Sequence, residues 1–334
     1  LMHIALIHYS VISFFLLTVC AIISYKLNLV DKPSKRKIHT KATAYTGGLA
    51  ISASYIYALQ LFNIADNSLN IIISISFLVT IVGFVDDKYN LNTGGKLSLQ
   101  IIPIFYLIVL EGMNLNHIGD YHYFKLPLNT FAIPFTLICV LFLINSFNYF
   151  DGMDGTLSLT SISVIGILYF LTPNESERLF LITVLIPICI FLFFNFSLFN
   201  LPKLFLGDSG SLLLGFVISF VLINFANKEI AHPIILAWSI SIFVYEFLSV
   251  NLERVINKRN PFKAGLDHLH HKIFNKTKSI FYTNILLFII NIVFFVIGYY
   301  TFIYAGPLTS LILFILFFII FFILRNLYLT SNTR

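Results

Sequence analysis

The chain has 334 residues, of which 58% are hydrophobic and only 11% are charged, and its formal net charge is +6. A soluble domain typically has about 25% charged residues, so the composition excludes a soluble globular protein. The apolar runs, at about 20 residues each, can cross a bilayer core of about 30 Å. We therefore predict an all-α polytopic membrane protein.

In chain order, the apolar runs predict about eleven spanning helices. They lie near 4–25, 45–62, 69–85, 97–111, 130–148, 156–172, 178–196, 207–226, 232–250, 280–299 and 305–324. The loops that are expected to carry the chemistry lie near 26–44, 86–96, 149–155, 197–206 and 251–279. Because no polar stretch is longer than the one between Asn251 and Ser279, residues 1–334 are expected to form a single integral-membrane domain.

The basic residues predict the orientation of these spans. All but three of the 21 Lys and Arg residues fall on one side, and the exceptions are Lys125, Arg178 and Lys228. Cytoplasmic loops carry an excess of Lys and Arg, so the N-terminus is predicted to lie outside and the C-terminus in the cytoplasm. Such a basic face attracts anionic lipid head groups and phosphorylated ligands.

Five aspartates lie at the predicted cytoplasmic ends of apolar runs. Asp86 and Asp87 close the third run, Asp151 and Asp154 follow the fifth, and Asp208 opens the eighth. A carboxylate in hydrocarbon costs about 2.5–3.5 kcal/mol at mid-membrane and less near the surface. Their clustering on one face therefore indicates a cation or a charged substrate.

Each acidic motif alone also has an ordinary structural interpretation. The Asp-Asp pair can be a solvated helix end, Asp-Gly-x-Asp-Gly a turn, and Gly-Asp-Ser-Gly-Ser a helix N-cap. All three on one face favour a magnesium site, because Mg²⁺ prefers oxygen ligands and keeps substrate phosphates in its shell. If the helix continues through Asp86 and Asp87, their side chains point about 100° apart. One carboxylate can then bind a ligand while the other binds a metal or a proton.

Cationic and imidazole side chains accompany the acids. Lys96 follows Gly94-Gly95 in a predicted short loop that turns back and places the ammonium over a phosphate; the alternative is a snorkelling anchor. His268, His270 and His271 lie within four positions. A transition-metal site is an alternative here, but no cysteine or HExxH spacing accompanies them. We therefore favour phosphate or sugar contacts by these imidazoles over zinc.

A basic loop, a magnesium site and a membrane face together predict transfer of a phosphoryl-linked group from a soluble nucleotide to a lipid phosphate. A transporter or channel is the alternative from another class. It would place its charges near the middle of spans, in broken helices of repeated halves. A lipid-binding scaffold without chemistry is a third reading.

Five motifs in order resemble one known family. They are Asp31-Lys32-Pro33 with residues 36–39 and Gly47-Gly48; Asp86-Asp87 with Lys96; residues 145–155; residues 207–211; and the Asp-His-Leu-His-His of residues 267–271. This arrangement resembles the polyprenyl-phosphate N-acetylhexosamine-1-phosphate transferases, the glycosyltransferase 4 type, and closely the bacterial WecA/TagO type. One departure is Glu246, which stands where the family commonly has an aspartate.

The resemblance implies a UDP-N-acetylhexosamine donor, an undecaprenyl phosphate acceptor, and Mg²⁺ with Mn²⁺ as an alternative. GlcNAc is the first choice of sugar, and QuiNAc, FucNAc and GalNAc are alternatives. The products would be a lipid-diphosphate-sugar and UMP, at the first membrane step of a cell-surface polysaccharide pathway such as O-antigen synthesis. The resemblance further implies the bacterial cytoplasmic membrane and a homodimer. We expect contact with membrane lipids and none with nucleic acid.

The resemblance also implies roles for individual residues. Asp208 matches the main magnesium ligand and Asn148 a second one. Asp86 and Asp87 match an essential pair, of which Asp87 is predicted to be the base that activates the acceptor. Substrate contacts are implied for Lys96 (phosphate), Asp151 and Asp154 (the donor, Asp154 at the uridine), Phe205 (stacking on uracil), and His268, His270 and His271 (the donor).

Overall fold

The helices dominate the fold. The computed structural model describes residues 2–33, 41–260, 265 and 267–330, so residues 36–39 of the first motif lie outside the described residues. The protein is 78% helical, which confirms the predicted helical class. Its helices are α1 (Met2–Lys26), α2 (Gly47–Leu61), α3 (Asn67–Tyr89), α4 (Thr93–Phe105), α5 (Ala132–Phe150), α6 (Thr156–Leu171), α7 (Glu175–Asn195), α8 (Gly207–Asn227), α9 (Pro233–Ser239), α10 (Ser241–Ile256), α11 (Leu269–Thr277) and α12 (Ile280–Thr330). A π-helical turn, Tyr106–Leu110, continues α4, and short 3-10 turns lie at Asn129–Phe131 and Leu198–Asn200.

The described chain has seven helices that are long and apolar enough to cross a membrane. The number is eight if α9 and α10, which meet at a 75° bend, form one broken span. The predicted count of about eleven is therefore not confirmed. Helices α2 and α6 have 15 and 16 residues, and at 1.5 Å per residue they reach only about 22–24 Å.

The last helix doubles back on itself. Its backbone breaks at Gly306, where φ is +86°. The Ser310 hydroxyl donates to the carbonyl oxygen of Gly298 at 3.1 Å, and the ring centroids of Phe294 and Phe317 are 5.6 Å apart. In a straight helix those two residues would lie about 35 Å apart. The segment that counts as one long helix therefore folds as a hairpin.

Helix α8 lies at the centre of the bundle, and its apolar stretch is completely buried. Small residues allow its neighbours to approach its backbone. A Cβ on Gly48 of α2 would lie 2.1 Å from the amide nitrogen of Gly210, and a Cβ on Gly215 would lie 2.7 Å from the Cα of Ile144 in α5. Close contact of this kind replaces the hydrophobic effect as the main attraction between helices in lipid. The start of α8, which carries Asp208, is thus held by surrounding helices.

Two short antiparallel ribbons were not predicted for an all-α protein. The first pairs β1 (Val30–Asp31) with β2 (Thr43–Ala44), and the second pairs β3 (His117–Asp120) with β4 (Lys125–Pro127). The amide of Phe205 donates to the carbonyl oxygen of Ala44 at 2.7 Å. The first ribbon therefore extends directly to the segment that precedes α8.

The predicted polar loops are partly helical. Helix α3 runs through the Asp pair to Tyr89, and α4 begins at Thr93, so the predicted loop 86–96 shrinks to three residues. The chain does turn back before Lys96, but Gly94-Gly95 do not lie in the loop as predicted, because they form the first turn of α4. The Asn92 side chain explains this start, since its oxygen accepts from the amide of Gly95 at 2.7 Å. Within the predicted loop 251–279, α10 continues to Ile256 and α11 occupies Leu269–Thr277.

Candidate active site

Polar side chains from three helices meet at the first turn of α8. The Asp208 carboxylate accepts a hydrogen bond from Nδ2 of Asn148 through Oδ1 and one from Nζ of Lys96 through Oδ2, both at 2.7 Å. Nδ2 of Asn148 also donates to the hydroxyl of Ser211 at 2.8 Å. The structure therefore brings together Asn148, Lys96 and Asp208, which are 112 positions apart at the extremes.

The Lys96 ammonium lies between two carboxylates. It is 2.7 Å from Oδ2 of Asp86 and 2.7 Å from Oδ2 of Asp208. Asp86 is only 7% exposed, so its charge needs a buried partner. This position between the ends of α3 and α8 is one where the protein stabilises positive charge.

The two adjacent aspartates of α3 have different partners. Oδ1 of Asp87 accepts from the amide of Asp208 at 2.9 Å, and Oδ2 accepts from the amide of Ser209 at 3.2 Å. Oδ1 of Asp86 accepts from the amide of Leu91 at 2.9 Å. Helix α3 continues through both residues, and their carboxylates meet different partners. Asp87 satisfies two amides at the N-terminus of α8, which otherwise lack partners.

Helix α3 also packs its backbone against the start of α8. A Cβ on Gly83 would lie 2.5 Å from the carbonyl carbon and oxygen of Asp208. The positive φ of Gly207, +72°, starts α8 at this point. Only glycine adopts that conformation without steric cost. The glycines therefore fix the distance between the Asp pair and Asp208.

The residues present suit a hard divalent cation. Mg²⁺ is usually bound by one or two protein carboxylates together with substrate phosphates. Asp86 and Asp208 supply two carboxylates around a position that already accommodates the positive charge of Lys96. Asn148 presents its amide nitrogen to Asp208. Because nitrogen of an amide is a donor only, Asn148 would bind a metal only after its amide turns over.

The Asp-Gly-x-Asp-Gly segment is held by two asparagines that sequence reasoning missed. Oδ1 of Asn195 accepts from the amide of Gly155 at 2.6 Å, and Nδ2 of Asn195 donates to the carbonyl oxygen of Leu204 at 2.9 Å. Nδ2 of Asn284 donates to the carbonyl oxygen of Asp154 at 2.8 Å. Neither asparagine lies near a motif in sequence, so no local signal marks it.

Lys203 is a further residue of the site that the sequence had indicated only as a topological charge. Its ammonium is 2.6 Å from Oδ2 of Asp154 and 5.4 Å from the ring centroid of Phe205. Its place two residues before Phe205 was the available signal. Lys203 therefore contacts both Asp154 and Phe205, the two residues predicted to contact the uridine of the donor.

Asp151 is buried close to two other carboxylates, those of Asp154 and Asp208. Burial, together with the negative charges of Asp208 and Asp154, raises the pKa of Asp151 to about 8. Positive charge at the site would lower this pKa, as Lys96 already does in part. The pKa of Asp151 therefore depends on how many unneutralised carboxylates lie near it.

Residues 267–271, here called the histidine segment, pack against the Asp-Gly-x-Asp-Gly segment. A Cβ on Gly152 would lie 2.2 Å from Nε2 of His270 and 3.1 Å from Nε2 of His271. His271 lines the adjoining cavity, whereas His268 and His270 lie behind it. Burial lowers the pKa of His268 to about 3 and lowers that of His270 as well, so both rings are neutral.

The three histidines are not grouped with other metal-ligating side chains among the described residues. In the part of the chain that the structure describes, no group of three His, Cys, Asp or Glu side chains is arranged to hold a metal ion. Among these residues, neither ring nitrogen of His270 has a hydrogen-bond partner, nor does Nδ1 of His268. Unpartnered buried polar atoms are rare, so these ring nitrogens are exceptions within the described part of the protein.

A cavity of about 1140 Å³ joins these elements. It exceeds the roughly 300–1,000 Å³ of typical small-molecule sites. Its lining includes Asp31, Lys41, Tyr45, Asp86, Asp87, Asp151, Asp154, Asn195, Lys203, Phe205, Asp208 and His271. Seven of the predicted site residues therefore line one cavity, while Lys96, Asn148, His268 and His270 lie outside its lining.

Fold and site define a multi-pass membrane protein with a polar, acidic cavity built from helix ends. Residues 69–226 match the model of Glycosyl transferase family 4. The chain is similar to the undecaprenyl-phosphate alpha-N-acetylglucosaminyl 1-phosphate transferase of Yersinia pestis, with 28% identity over 276 residues that cover 80% of this chain and 75% of that protein.

Two other relatives have nearly the same name. The probable undecaprenyl-phosphate N-acetylglucosaminyl 1-phosphate transferase of Bacillus subtilis (strain 168) is 27% identical over 264 residues, covering 75% of this chain and 71% of its own length. The Escherichia coli (strain K12) protein, named as in Yersinia pestis, is 24% identical over 259 residues, covering 75% and 70%. These matches confirm the resemblance to the glycosyltransferase 4 type that the motifs indicated.

Proposed function

We propose that this protein transfers N-acetylhexosamine 1-phosphate, with GlcNAc as the first choice, from a UDP-sugar to undecaprenyl phosphate. The products are the lipid-diphosphate-sugar and UMP. The observation that carries the proposal is the position of Lys96 between Asp86 and Asp208 at the edge of a cavity of about 1140 Å³. Two carboxylates that stabilise a cation there suit a metal-bound diphosphate, and the names of the relatives support the reaction.

Asp208 is the proposed main ligand of Mg²⁺, with Asn148 as a second ligand. When bound, the metal neutralises the diphosphate of the donor and stabilises the leaving nucleotide phosphate. Lys96 would then pair with a phosphate instead of both carboxylates. Its ammonium is a flexible point charge suited to that contact. Asp86 and Asp208, which both pair with Lys96 in this structure, would then be free to hold the metal.

The structure leads us to divide the Asp pair differently from the sequence. Both carboxylate oxygens of Asp87 accept amide hydrogens of α8, so both are already engaged in holding the start of that helix. We assign Asp87 to positioning Asp208. Asp86 has an oxygen that faces Lys96, and it is the better candidate to remove a proton from the lipid phosphate or to orient it.

The nucleoside end of the donor is proposed to lie near Phe205 and Asp154. Aromatic rings stack on bases, and a carboxylate accepts from the imide of uracil or from ribose hydroxyls. Lys203 already pairs with Asp154, so it sets the position of that carboxylate before the donor binds. His271 then faces the cavity from the opposite segment, with Asp151 beside the metal site.

The proposed location is the bacterial cytoplasmic membrane, with the cavity on the cytoplasmic side. The distribution of Lys and Arg supports this orientation. The proposed pathway is the first membrane step in the synthesis of a cell-surface polysaccharide. Two substrates that differ in solubility, one aqueous and one in the lipid, can meet only at such a membrane face.

The test measures UMP released from UDP-GlcNAc by the purified protein with undecaprenyl phosphate and Mg²⁺. Asp208→Ala should lower turnover by roughly a thousandfold, because metal stabilisation is worth several kcal/mol and each 1.36 kcal/mol is tenfold. Asp120→Ala is the matched control, since Asp120 forms an exposed ion pair with Lys125 on the second β-ribbon. Near-normal turnover in Asp208→Ala, or full activity in chelator, would contradict the metal assignment.

The identity of the sugar is tested separately. A panel of UDP-GlcNAc, UDP-GalNAc, UDP-QuiNAc and UDP-FucNAc as competing donors should show preference for UDP-GlcNAc. These sugars differ in one hydroxyl or its orientation, and a site built to hydrogen-bond a hydroxyl rejects the analogue that lacks it. Preference for another member of the panel would change the donor while leaving the reaction unchanged.

One observation favours a transporter as a second candidate. The 75° break between α9 and α10 is of the kind that transporters use at their binding sites. The polar residues, however, converge at the ends of α3, α5 and α8, away from the middle of these helices. Substrate-dependent ion flux into liposomes without UMP release would support this candidate instead.

A further inference from the structure

The last helix reaches the histidine segment through one buried arginine. Arg325, in the second half of α12, is 3% exposed. Its Nε donates to Oε2 of Glu246 at 2.9 Å, and its Nη2 donates to the carbonyl oxygen of Asp267 at 2.6 Å. Its Nη1 donates to Glu253. One side chain thus binds two residues of α10 and the backbone of the histidine segment.

Glu246 binds the same segment on the other side of His268. Oε1 of Glu246 accepts from the amide of Leu269 at 2.7 Å, and Glu246 is fully buried. Arg325 holds the carbonyl of Asp267. Hydrogen bonds therefore hold the backbone on both sides of His268, at the carbonyl of Asp267 and at the amide of Leu269. Glu246 is the residue that stands where the family commonly has an aspartate.

The side chain of Asp267 is fixed from a third direction. Nε and Nη2 of Arg254 donate to its two carboxylate oxygens at 2.9 and 2.7 Å. Burial opposes ionisation of Asp267, but the hydrogen bonds and charge of Arg254 outweigh it and hold the pKa at about 2. Fork-to-fork pairs of this kind fix orientation as well as charge.

These contacts hold the backbone that carries the three imidazoles, of which that of His271 lines the cavity. The ring of His268 contacts that of Tyr149, with centroids 4.7 Å apart. Among the described residues, Nδ1 of His268 and both ring nitrogens of His270 have no hydrogen-bond partner. A histidine that must meet a ligand needs a rigid backbone, because a displacement of about 1 Å can cost a hundredfold in rate.

We propose that Arg325, acting with Glu246, is a positioning residue for the histidine segment, and that binding of the nucleoside diphosphate-sugar depends on this ion pair in the last helix. The proposal rests on the proposed function for the identity of the ligand. The position of the segment itself does not depend on it. The C-terminal helix is in this way part of the donor site, although Arg325 lies 54 or more residues after every histidine in the segment.

Three measurements on Arg325→Met test the proposal: the KM for the UDP-sugar, the kcat, and the rate of tryptic cleavage after Lys258 or Arg259 without substrate. Both cleavage sites are exposed and lie just before the segment. We expect the KM to rise by about tenfold to a hundredfold, with a smaller change in kcat, and we expect faster cleavage. Arg325→Lys should give an intermediate effect, since an ammonium cannot replace the planar fork of donors.

Lys228→Met is the matched control. Lys228 also pairs with two carboxylates, Asp66 and Glu177, but it follows the far end of α8, about 30 Å from Asp208 along that helix. Its loss should leave donor KM and cleavage after Lys258 unchanged. If Lys228→Met raises KM as much as Arg325→Met, the effect is one of general stability and the proposal is overturned.

Two further variants keep the test decisive if Arg325→Met does not insert. The double variant Glu246→Leu with Arg325→Met replaces the ion pair by apolar side chains of similar volume, which is often neutral or stabilising for a buried pair. A folded variant with unchanged cleavage and unchanged donor KM would overturn the proposal. Absence of UMP release by the wild-type protein would instead overturn the proposed function, while the cleavage rates would still report on the ion pair.

Discussion

Asp87 accepts hydrogen bonds from the amides of Asp208 and Ser209 at 2.9 and 3.2 Å, so one acidic motif caps the helix that begins with another. The N-terminus of a helix carries partial positive charge and unpaired amides. A carboxylate from α3 accepts from two of these amides and holds the backbone at Asp208. The Asp pair and the Gly-Asp-Ser-Gly-Ser motif are therefore one structural unit.

Asp87→Asn is expected to lose both stability and turnover. An amide keeps one acceptor for the amides of α8 but loses the negative charge, and loss of a helix cap costs about 0.5–2 kcal/mol. Asp66→Asn is the matched control, because Asp66 caps α3 by accepting from the amide of Ser68 at 3.0 Å. Melting of the purified proteins should fall in both variants, and UMP release should fall only in Asp87→Asn. Equal turnover in the two would show that Asp87 has no role beyond capping.

Gly83→Ala is expected to disturb the site without removing any functional group. Its Cβ would lie 2.5 Å from the carbonyl of Asp208, so α3 and α8 must separate, and overpacking of this kind costs about 1–3 kcal/mol. Gly166→Ala is the control: that glycine is in α6 and a Cβ there meets nothing within 4 Å, so the substitution should stabilise by about 0.4–1 kcal/mol. Melting temperature and turnover should fall in the first and be retained in the second. A fully active Gly83→Ala would contradict the tight spacing of α3 and α8.

Phe205→Leu is expected to weaken donor binding selectively. Stacking of a base on an aromatic side chain is worth about 1–3 kcal/mol, which corresponds to a KM for the UDP-sugar raised at least about tenfold. Phe199→Leu makes the same change at an 83% exposed ring outside the cavity lining. Steady-state kinetics with varied donor and fixed acceptor distinguish the two. An unchanged donor KM in Phe205→Leu would place the base elsewhere.

The histidine segment should make the protein sensitive to mild acid. The pKa of His268 is lowered to about 3 by burial, so the native state keeps it neutral, whereas in the unfolded chain it binds a proton below about pH 6.5. The unfolded state then binds more protons, and stability is lost as the pH falls from 6.5 towards 3, by up to about 1.4 kcal/mol per pH unit.

Melting temperatures between pH 7.5 and pH 5 measure this effect. His268→Gln should flatten the dependence, and His3→Gln, which changes an exposed histidine in α1, should leave it as in the wild type. The pKa of His270 and that of His271 are also lowered by burial, so some acid sensitivity should persist in His268→Gln. A wild-type protein equally stable at pH 7.5 and pH 5 would contradict the buried neutral state of these rings.

Much of the candidate site could be read from residue types. Seven of the predicted residues line the cavity. They could be predicted because carboxylates and phosphate-binding cations are conspicuous in a chain with so few charges. Lys203, Asn195 and Asn284 were missed as site residues. An asparagine that holds a loop by hydrogen bonds has no local pattern, since its partners come from other helices.

The sequence alone determined the class of the protein: a helical membrane protein with acidic motifs resembling those of the glycosyltransferase 4 type. Hydropathy and motif order are local properties, so they can be read without a fold. Only the tertiary structure decided which carboxylate caps α8, which faces Lys96, and how Arg325 reaches the histidine segment. These depend on hydrogen bonds between helices far apart in the chain, and their geometry is set by how closely glycines allow the helices to pack.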